Sequence, residues 1–352
     1  MPLDHYVTLG RSGLRVSPMC LGAMTFGAGD AWGVRDAAEA DALMDLYAER
    51  GGNFIDTANI YGGGRSEEMV GAWLGKSPGR RRRTVLATKF SSNFFPGDPN
   101  GGGAGRKSIV AACEDSLRRL KTEVIDLYWL HWEDPHTPIE ETMRALDDLV
   151  RAGMVVHVGF SDISPWKVAQ AQMVARYESL TPVIALQIEY SLLERTIEAE
   201  FPPLAAEMGM SIVPWSPLKS GVLSGKYRRG VPVESGRQWI AGGTLPDRHY
   251  DVIEAAAAVA ERHGVLPAQV ALAWVGAKPG VASPIIGARR LSQLEENLGA
   301  LDLKLTAEDM AALDLVSAPI LGFPASIFPV NRMLAYGGLT INGESYPALQ
   351  LS

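Results

Sequence analysis

The segment Asn53-Phe54-Ile55-Asp56-Thr57-Ala58-Asn59-Ile60-Tyr61 decides how this chain folds. The apolar pair near its start predicts a buried strand, and that strand ends at a carboxylate, Asp56. An ionised carboxylate that loses its water is costly unless a cation pairs with it. Lys89 ends the next apolar run in the same way. We therefore expect Asp56 and Lys89 to pair, with Tyr61 on the loop between the two strands.

Length and composition are those of an ordinary globular chain. The 352 residues are 47% hydrophobic and 21% charged, with a net charge of −7. A negative net charge argues against nucleic acid or an anionic membrane surface as the main partner. The one basic run, Arg80–Arg83, precedes a predicted strand, and we interpret it as a solvated turn rather than an anion-binding patch.

The cysteines and the amino-terminal segment indicate the compartment. Cys20 and Cys113 stand in apolar surroundings and are too few for a metal framework, which is typical of core residues in a reducing compartment. The first five residues lack the features of a signal peptide, and no apolar run reaches the roughly 18 residues that span a bilayer. We expect a cytoplasmic protein that has no metal site.

Polar residues end successive apolar runs at regular intervals. The runs that predict strands end at positions 56, 89, 131, 161, 187, 215 and 287, with helix signals between them. Steps of about 30 residues are what one strand, one helix and their loops occupy. The last step is longer and holds a loop over 218–249 and helical stretches over 251–263 and 267–278. With a further strand at Met19–Gly22, eight strands alternate with helices, which predicts a (β/α)₈ TIM barrel.

This barrel accounts for residues 1–352 as a single domain. A short hairpin is predicted within 1–18, and a tail follows over 318–352. Residues 137–140 are typical of a capping box, and Ser292-x-x-Glu295 is typical of a helix start. We expect the tail either to close over the mouth of the barrel or to form a contact between subunits of a homo-oligomer.

The rival architecture is an open doubly wound parallel sheet. Such a sheet would carry Gly-x-Gly-x-x-Gly after its first strand. The glycines at 62–64 and 101–103 lie in loops without that spacing. The pattern therefore favours the barrel, whose active site lies at the carboxyl ends of its strands.

Four chemically active residues fall at or just after these strand ends: Asp56, Tyr61, Lys89 and His131. Each has an ordinary structural role when taken alone, as a turn cap, a loop aromatic, a surface lysine or a satisfied core histidine. Together on adjacent strand ends they indicate a reaction site.

These motifs resemble the aldo-keto reductase superfamily over about Leu14 to Leu313. The segments that carry the resemblance occur in that family's order: 56–71, 88–89, 126–162, 187–191, 214–218 and 286–297. The resemblance implies a barrel that reduces aldehydes or ketones with a nicotinamide cofactor. It also implies that Asp56, Tyr61, Lys89 and His131 are the catalytic tetrad of the family.

The chemistry of carbonyl reduction explains these four residue types. Hydride delivered to a carbonyl carbon leaves negative charge on the oxygen, which needs a proton donor and a polar anchor. Tyr61 can donate that proton, and we expect the Lys89 ammonium to lower the pKa of the phenol. Asp56 would keep Lys89 protonated, and His131 would hydrogen-bond the carbonyl oxygen.

The resemblance implies cofactor contacts at the later strand ends. Trp215 would stack on the nicotinamide ring, with core packing as its ordinary alternative. Ser161, Asp162 and Gln187 are placed at its carboxamide, although many relatives have Asn where Asp162 stands. The family's diphosphate-covering segment matches Ser216, Leu218, Ser220 and Lys226.

The adenosine end of the cofactor is assigned to the segment before the last predicted helix of the barrel. Gly287 and Arg289 precede a helix start that suits a phosphate, and Gln293, Glu296 and Asn297 would edge the adenine. Many relatives carry Lys at Gly287 and Arg at Gln293, cations that grip the 2′-phosphate of NADPH. Arg289 would compensate, so NADPH is expected and NADH is the alternative.

Two functions besides carbonyl reduction stay open. One is a redox-sensing subunit that uses the cofactor as a ligand. The other is a barrel isomerase or lyase that holds a phosphorylated substrate near Gly287, with Lys89 as base or Schiff-base former. For a reductase, the small carbonyl substrate would be shaped by Met24, Phe26, Trp32, Trp132 and the loops at 91–105 and 222–249.

Overall fold

A computed structural model describes residues 2–29, 33–34, 36–231 and 245–348. The strands in these ranges are β1 (Val7–Thr8), β2 (Arg15–Val16), β3 (Cys20–Gly22), β4 (Phe54–Asp56), β5 (Val85–Phe90), β6 (Ile125–Leu130), β7 (Val155–Ser161), β8 (Val183–Glu189), β9 (Ser211–Trp215), β10 (Ile285–Ile286), β11 (Thr340–Ile341) and β12 (Glu344–Ser345).

The helices in the same ranges are α1 (Ala37–Glu49), α2 (Arg65–Leu74), α3 (Pro78–Arg83), α4 (Arg106–Leu120), α5 (Ile139–Arg151), α6 (Pro165–Glu178), α7 (Phe201–Met208), α8 (Asp247–His263), α9 (Pro267–Gly276), α10 (Leu291–Leu298), α11 (Ala307–Val316) and α12 (Phe328–Tyr336). Among them, none has an apolar stretch long enough to cross a bilayer.

Strands β3 to β10 form one parallel sheet, in which each strand from β3 to β8 pairs with the next along the chain and β10 pairs with β3. Backbone bonds join the remaining edge: Ile212 N–H donates to the Gly280 carbonyl at 2.7 Å, and Ala282 N–H to the Ile212 carbonyl at 2.9 Å. The sheet is thus a nearly closed (β/α)₈ barrel, which confirms the predicted fold class. The antiparallel hairpin β1–β2 is also confirmed.

Alternate residues of the strands face the barrel interior. One buried cluster inside the barrel contains Phe54, Val85, Ala87, Leu127, Trp129, Ala185 and Val213. Side chains two positions apart on a strand point to the same face. The inward set therefore continues at the carboxyl ends of the strands with Asp56, Lys89, His131, Gln187 and Trp215.

The hairpin β1–β2 packs against the other end of the barrel. Leu9 and Val16 belong to the interior cluster. Arg11 N–H donates to the Gly209 carbonyl at 2.8 Å, just before β9 begins. The hairpin therefore covers the amino-terminal end of the barrel interior.

Three local predictions differ from the structure. Arg80–Arg83 ends helix α3 instead of forming a turn, because the Arg81 guanidinium binds Asp126 at 2.8 Å and the Val124 carbonyl at 2.6 Å. The capping box at residues 137–140 does not form, since the Thr137 hydroxyl donates to Asp134. Ser292 lies inside α10 and does not cap it.

The tail holds α12 and the antiparallel pair β11–β12. Many of its large apolar side chains are exposed, including Ile320, Phe323 and Leu334. Its assignment to mouth closure or to a subunit contact stays a prediction, as does the division of the chain into one domain.

Candidate active site

Lys89 and Asp56 form an ion pair enclosed at the carboxyl end of the barrel. The side chain of Lys89 is fully buried, and Asp56 is 2% exposed. The ammonium donates to the Asp56 carboxylate, and to the Thr57 carbonyl at 2.9 Å. Burial lowers the pKa of Lys89, but the adjacent carboxylate outweighs burial, and the pKa is raised overall. Burial raises the pKa of Asp56, and Lys89 opposes that rise.

Tyr61 lies against this pair. The Lys89 ammonium donates to the Tyr61 hydroxyl at 3.1 Å. The loop reaches this position through a turn in which Gly62 has a φ of +57° and lies against the backbone of Gly27, where a Cβ would come within 2.9 Å. Only glycine fits such a turn without strain.

The Lys89 ammonium lowers the Tyr61 pKa as expected, but the overall shift of this pKa is upward. Burial raises the pKa of the phenol above its ordinary value, and the ammonium of Lys89 opposes this effect without cancelling it. Tyr61 is therefore protonated at neutral pH. It is a proton donor with a cation already hydrogen-bonded to the oxygen that would carry the negative charge.

His131 follows β6 and completes the group of four. Its ring lies edge-on to Tyr61, with 5.8 Å between ring centroids, and it stacks on Trp132. Burial, followed by the charge of Lys89, lowers the His131 pKa to about 2. The imidazole is thus neutral at physiological pH and carries one N–H. Its Nδ1 is buried and has no hydrogen-bond partner among the residues described.

Gln187, which the sequence analysis assigned only to the cofactor carboxamide, also belongs to this cluster. Its side-chain amide donates to the second carboxylate oxygen of Asp56 at 3.0 Å. Asp56 is thus held from both sides, by an ammonium and by an amide. The signal that could have found this contact is the alternation on β8, which places Gln187 on the inward face together with Ala185.

Ser161, Asp162 and Trp215 lie on the next strand ends. Ser161 is buried, and the Trp215 indole N–H donates to Asp162 Oδ1 at 3.0 Å. The Asp162 side chain is open to the mouth of the barrel but surrounded by protein on its other sides. This burial raises the pKa of Asp162 to about 6, against the hydrogen bond from Trp215.

The predicted diphosphate segment forms a turn directly after β9. Ser216 and Ser220 have φ values of +52° and +56°, and the Ser216 hydroxyl accepts the Ser220 N–H at 3.1 Å. Leu218 precedes the short helical turn Lys219–Ser224. Lys226 is exposed beyond it. The structure therefore places these four residues on one loop at the barrel mouth.

The predicted adenosine residues form a compact group at the start of α10. Gln293 accepts the Arg289 N–H at 3.0 Å, and Asn297 donates to the Gly287 carbonyl at 3.3 Å. Both amides therefore hold the preceding loop, instead of presenting one free face as expected. Arg289 and Glu296 are exposed.

These groups fit a nicotinamide dinucleotide. Gly287 has open space where a side chain would stand, with no atom within 4 Å of an added Cβ among the described residues. The first N–H groups of α10 have no partner inside the helix, which suits a phosphate, and the exposed Arg289 adds a cation. At the other end, the half-exposed Trp215 offers an indole face.

Two cavities lie at opposite ends of the barrel. A cavity of 390 Å³ lies against Asp162 and Trp215. A cavity of 500 Å³ lies before the amino ends of β6 and β7, near Thr122 and Met154. The titratable cluster is at the carboxyl ends, so we place the site there.

The residues proposed to shape the substrate pocket are divided by the structure. Met24 and Trp132 are exposed, at 39% and 44%. Phe26 is completely buried in the core, so the expectation that it lines the pocket is wrong. Trp32 and residues 232–244 of the 222–249 loop lie outside the described residues.

An acid, an ammonium, a phenol and a neutral imidazole meet at the carboxyl ends of this (β/α)₈ barrel. Groups of these kinds, when arranged in this way, can pass a proton to or from a substrate oxygen. The model of the aldo/keto reductase family matches residues 18–318, and the chain belongs to that family. Family membership favours an oxidoreductase over the isomerase or lyase alternative.

Similar proteins include oxidoreductases and probable channel subunits. The chain is 35% identical to an aryl-alcohol dehydrogenase of Pestalotiopsis microspora, over 95% of this chain and 86% of the relative. It is 37% identical to an uncharacterised oxidoreductase of Bacillus subtilis, over 88% and 95%. It is 38% identical to a probable voltage-gated potassium channel subunit beta of Oryza sativa, over 85% and 92%.

Proposed function

We propose that this protein reduces an aldehyde or a ketone to an alcohol with hydride from NADPH, and that Tyr61 is the general acid. The observation that carries the proposal is the 3.1 Å hydrogen bond from Lys89 to the Tyr61 hydroxyl, beside the Lys89–Asp56 ion pair. The oxidoreductases among the similar proteins support the reaction class.

The four residues divide the proton chemistry between them. As negative charge develops on the substrate carbonyl oxygen, Tyr61 donates its hydroxyl proton to that oxygen. The resulting phenolate is stabilised by the Lys89 ammonium, which Asp56 holds in its charged form. Neutral His131 donates a hydrogen bond to the same oxygen and orients the carbonyl.

A bound nicotinamide cofactor supplies the hydride for this reaction. Its nicotinamide end would be held by Ser161, Asp162, Gln187 and Trp215. Its diphosphate would lie under the loop with Ser216, Leu218, Ser220 and Lys226. Its adenosine end would contact Gly287, Arg289, Gln293, Glu296 and Asn297.

NADPH is preferred over NADH in this proposal because Arg289 is an exposed guanidinium beside the open Gly287, where a phosphate can approach. The compartment is proposed to be cytoplasmic, since both cysteines, Cys20 and Cys113, are buried free thiols. A homo-oligomer is proposed as the alternative to a monomer, with the exposed tail as its contact.

Two measurements on the purified protein test the function. The first follows nicotinamide fluorescence as NADPH is added, and the second follows the loss of NADPH absorbance after 4-nitrobenzaldehyde is added. We expect both saturable binding and turnover. Absence of turnover with this aldehyde and with a panel of ketones would contradict the proposal.

A redox-sensing regulatory subunit is the second candidate. The resemblance to a probable potassium channel subunit of rice favours it, because a cofactor in such a protein can serve as a ligand. Saturable NADPH binding without turnover would support this candidate. The complete set of acid, ammonium, phenol and imidazole makes turnover the expected result.

A further inference from the structure

Asp162 is fixed at the mouth of the barrel by two hydrogen bonds. It directly follows β7 and has a φ of +50°, a conformation that is uncommon for residues other than glycine. Its N–H donates to the Gln187 carbonyl at 3.2 Å, and its Oδ1 accepts the indole N–H of Trp215 at 3.0 Å. Ser216, which follows Trp215, also has a positive φ, of +52°. Constrained backbone therefore carries one partner of the indole bond and directly follows the other.

This arrangement places a negative charge at the edge of the indole ring. An aromatic ring that stacks on Trp215 lies within a few ångströms of the Asp162 carboxylate. The two redox forms of a nicotinamide ring differ in charge, since the oxidised ring is a cation and the reduced ring is neutral. A fixed carboxylate attracts the cation and leaves the neutral ring nearly unaffected.

We propose that Asp162 makes this site discriminate between the two redox forms of its cofactor, by stabilising the cationic nicotinamide of NADP⁺ relative to the neutral ring of NADPH. The inference rests on the proposed function, in which the nicotinamide stacks on Trp215. It adds a residue that sets the ratio of the two affinities, which in turn sets how the protein responds to the cellular ratio of the two forms.

The other charged groups around Asp162 are paired with one another, so the Asp162 carboxylate provides the net negative charge at this position. Lys89 on β5 attracts it, but that ammonium is already paired with Asp56. Glu189 on β8 adds a second negative charge, which Lys219 neutralises at 2.7 Å. Lys219 also lies 3.8 Å from Glu194, in the loop after β8.

The charge of Asp162 depends on pH within the range in which the protein can be studied. Burial raises its pKa to about 6, so the carboxylate is ionised at about pH 8 and mostly protonated at about pH 5. The preference for NADP⁺ should therefore be present above this pKa and be lost as the pH falls through it. Both cofactor forms carry the same phosphates, so their ratio isolates the charge on the ring.

The test measures dissociation constants of NADP⁺ and NADPH by quenching of tryptophan fluorescence. Asp162→Asn keeps an oxygen acceptor for the indole N–H and removes the charge. Asp162→Gly also removes the charge, and glycine adopts a φ of +50° without strain. This second variant keeps the test decisive if the Asn variant does not fold. Glu194→Gln is the control, because it removes a neighbouring carboxylate that does not contact Trp215.

At about pH 8 we expect both Asp162 variants to shift the affinity ratio about tenfold toward NADPH. We expect the Glu194 control to shift it less than about threefold, since that carboxylate is partly solvated and also lies 3.8 Å from the Lys219 ammonium. At about pH 5 the variants and the unaltered protein should converge. If the ratio of the two dissociation constants is the same in the unaltered protein and both Asp162 variants, the inference is wrong while the proposed function stands. If neither cofactor binds the unaltered protein, both fail.

Discussion

The hydroxyl oxygen of Tyr61 lies 3.1 Å from the ammonium nitrogen of Lys89, although Tyr61 lies in the loop after β4 and Lys89 lies on β5. In this hydrogen bond the ammonium donates, so the phenol keeps its own proton for a substrate. Burial raises the Tyr61 pKa, so the phenol is protonated before the reaction. The ammonium stabilises the phenolate only once that proton has left, which is the property required of a general acid.

Tyr61→Phe removes the proton and little else. We expect turnover of 4-nitrobenzaldehyde to fall by a factor of about 10² to 10⁴. The NADPH dissociation constant should change less than about twofold, because the ring is retained. Tyr177→Phe, at a side chain that is 80% exposed on α6, should leave both quantities unchanged. Full turnover in the Tyr61 variant would refute the acid assignment.

Asp56→Asn leaves the Lys89 ammonium buried without its counter-ion. Removing one partner of a buried ion pair costs roughly 3–5 kcal/mol of unfolding free energy, and turnover should fall because Lys89 loses both its position and its charge. Raising or lowering the pH should not restore turnover. Asp41→Asn breaks an exposed pair with Lys76 at 2.5 Å and should cost less than about 1 kcal/mol. Equal losses from the two substitutions, measured by urea unfolding, would contradict the burial argument.

His131 should make the protein less stable in mild acid. Its folded pKa is about 2, whereas an unfolded histidine has a pKa of about 6.5. The unfolded state therefore binds more protons between these values, and stability is lost as the pH falls below about 6.5. By about pH 5 the loss from this group is roughly 2 kcal/mol. In urea unfolding, His131→Asn should make the free energy of unfolding less dependent on pH over this range. If the imidazole proton resonance assigned to His131 titrates near pH 6 in the folded protein, the ring is not held neutral and the prediction is wrong.

Arg289→Ala tests the choice of cofactor. If the Arg289 guanidinium contacts the 2′-phosphate, its removal should raise the dissociation constant of NADPH about tenfold. Binding of NADH should stay within about twofold, and added salt should weaken the NADPH preference of the unaltered protein. Arg290→Ala, at the next exposed residue, is the matched control. Equal weakening of both cofactors in the Arg289 variant would remove the basis for preferring NADPH.

Asp309→Asn probes the contact between α8 and α11. The Asp309 carboxylate binds Arg262, as well as His263 at 2.7 Å, and accepts the Thr306 N–H at 3.1 Å. The hydrogen bonds from His263 and Arg262 lower the pKa of Asp309. Its stabilisation is therefore full above the ordinary pKa of an aspartate and is lost as the pH falls toward the lowered value.

At neutral pH we expect Asp309→Asn to reduce the free energy of unfolding by about 1–3 kcal/mol. Glu308→Gln, at the exposed neighbouring position, should change it by less than about 0.5 kcal/mol. The difference between the Asn variant and the unaltered protein should narrow in acid. A difference that stays constant as the pH falls would show that the carboxylate charge is not responsible.

The order of strands and the catalytic group could be predicted because both depend on local patterns. Each strand is a short apolar run that ends at a polar residue, and the polar residue takes its direction from the alternation of side chains along its own strand. Asp56, Lys89 and His131 follow from this rule. The cap at 137–140 was predicted wrongly because the Thr137 hydroxyl binds Asp134 instead. The cap at Ser292 was predicted wrongly because α10 already begins at Leu291.

The sequence by itself determined which residues stand at the mouth of the barrel, since a period of two along each strand and a repeat of about thirty residues leave little choice of face or order. Only the tertiary structure decided what those residues do to one another. It placed Gln187 on Asp56 and Trp215 on Asp162, buried Phe26 in the core, and raised the Tyr61 pKa that a neighbouring ammonium alone would have lowered. These outcomes depend on distances between residues far apart in the chain and on how much water the fold removes, and neither quantity is written in a local pattern.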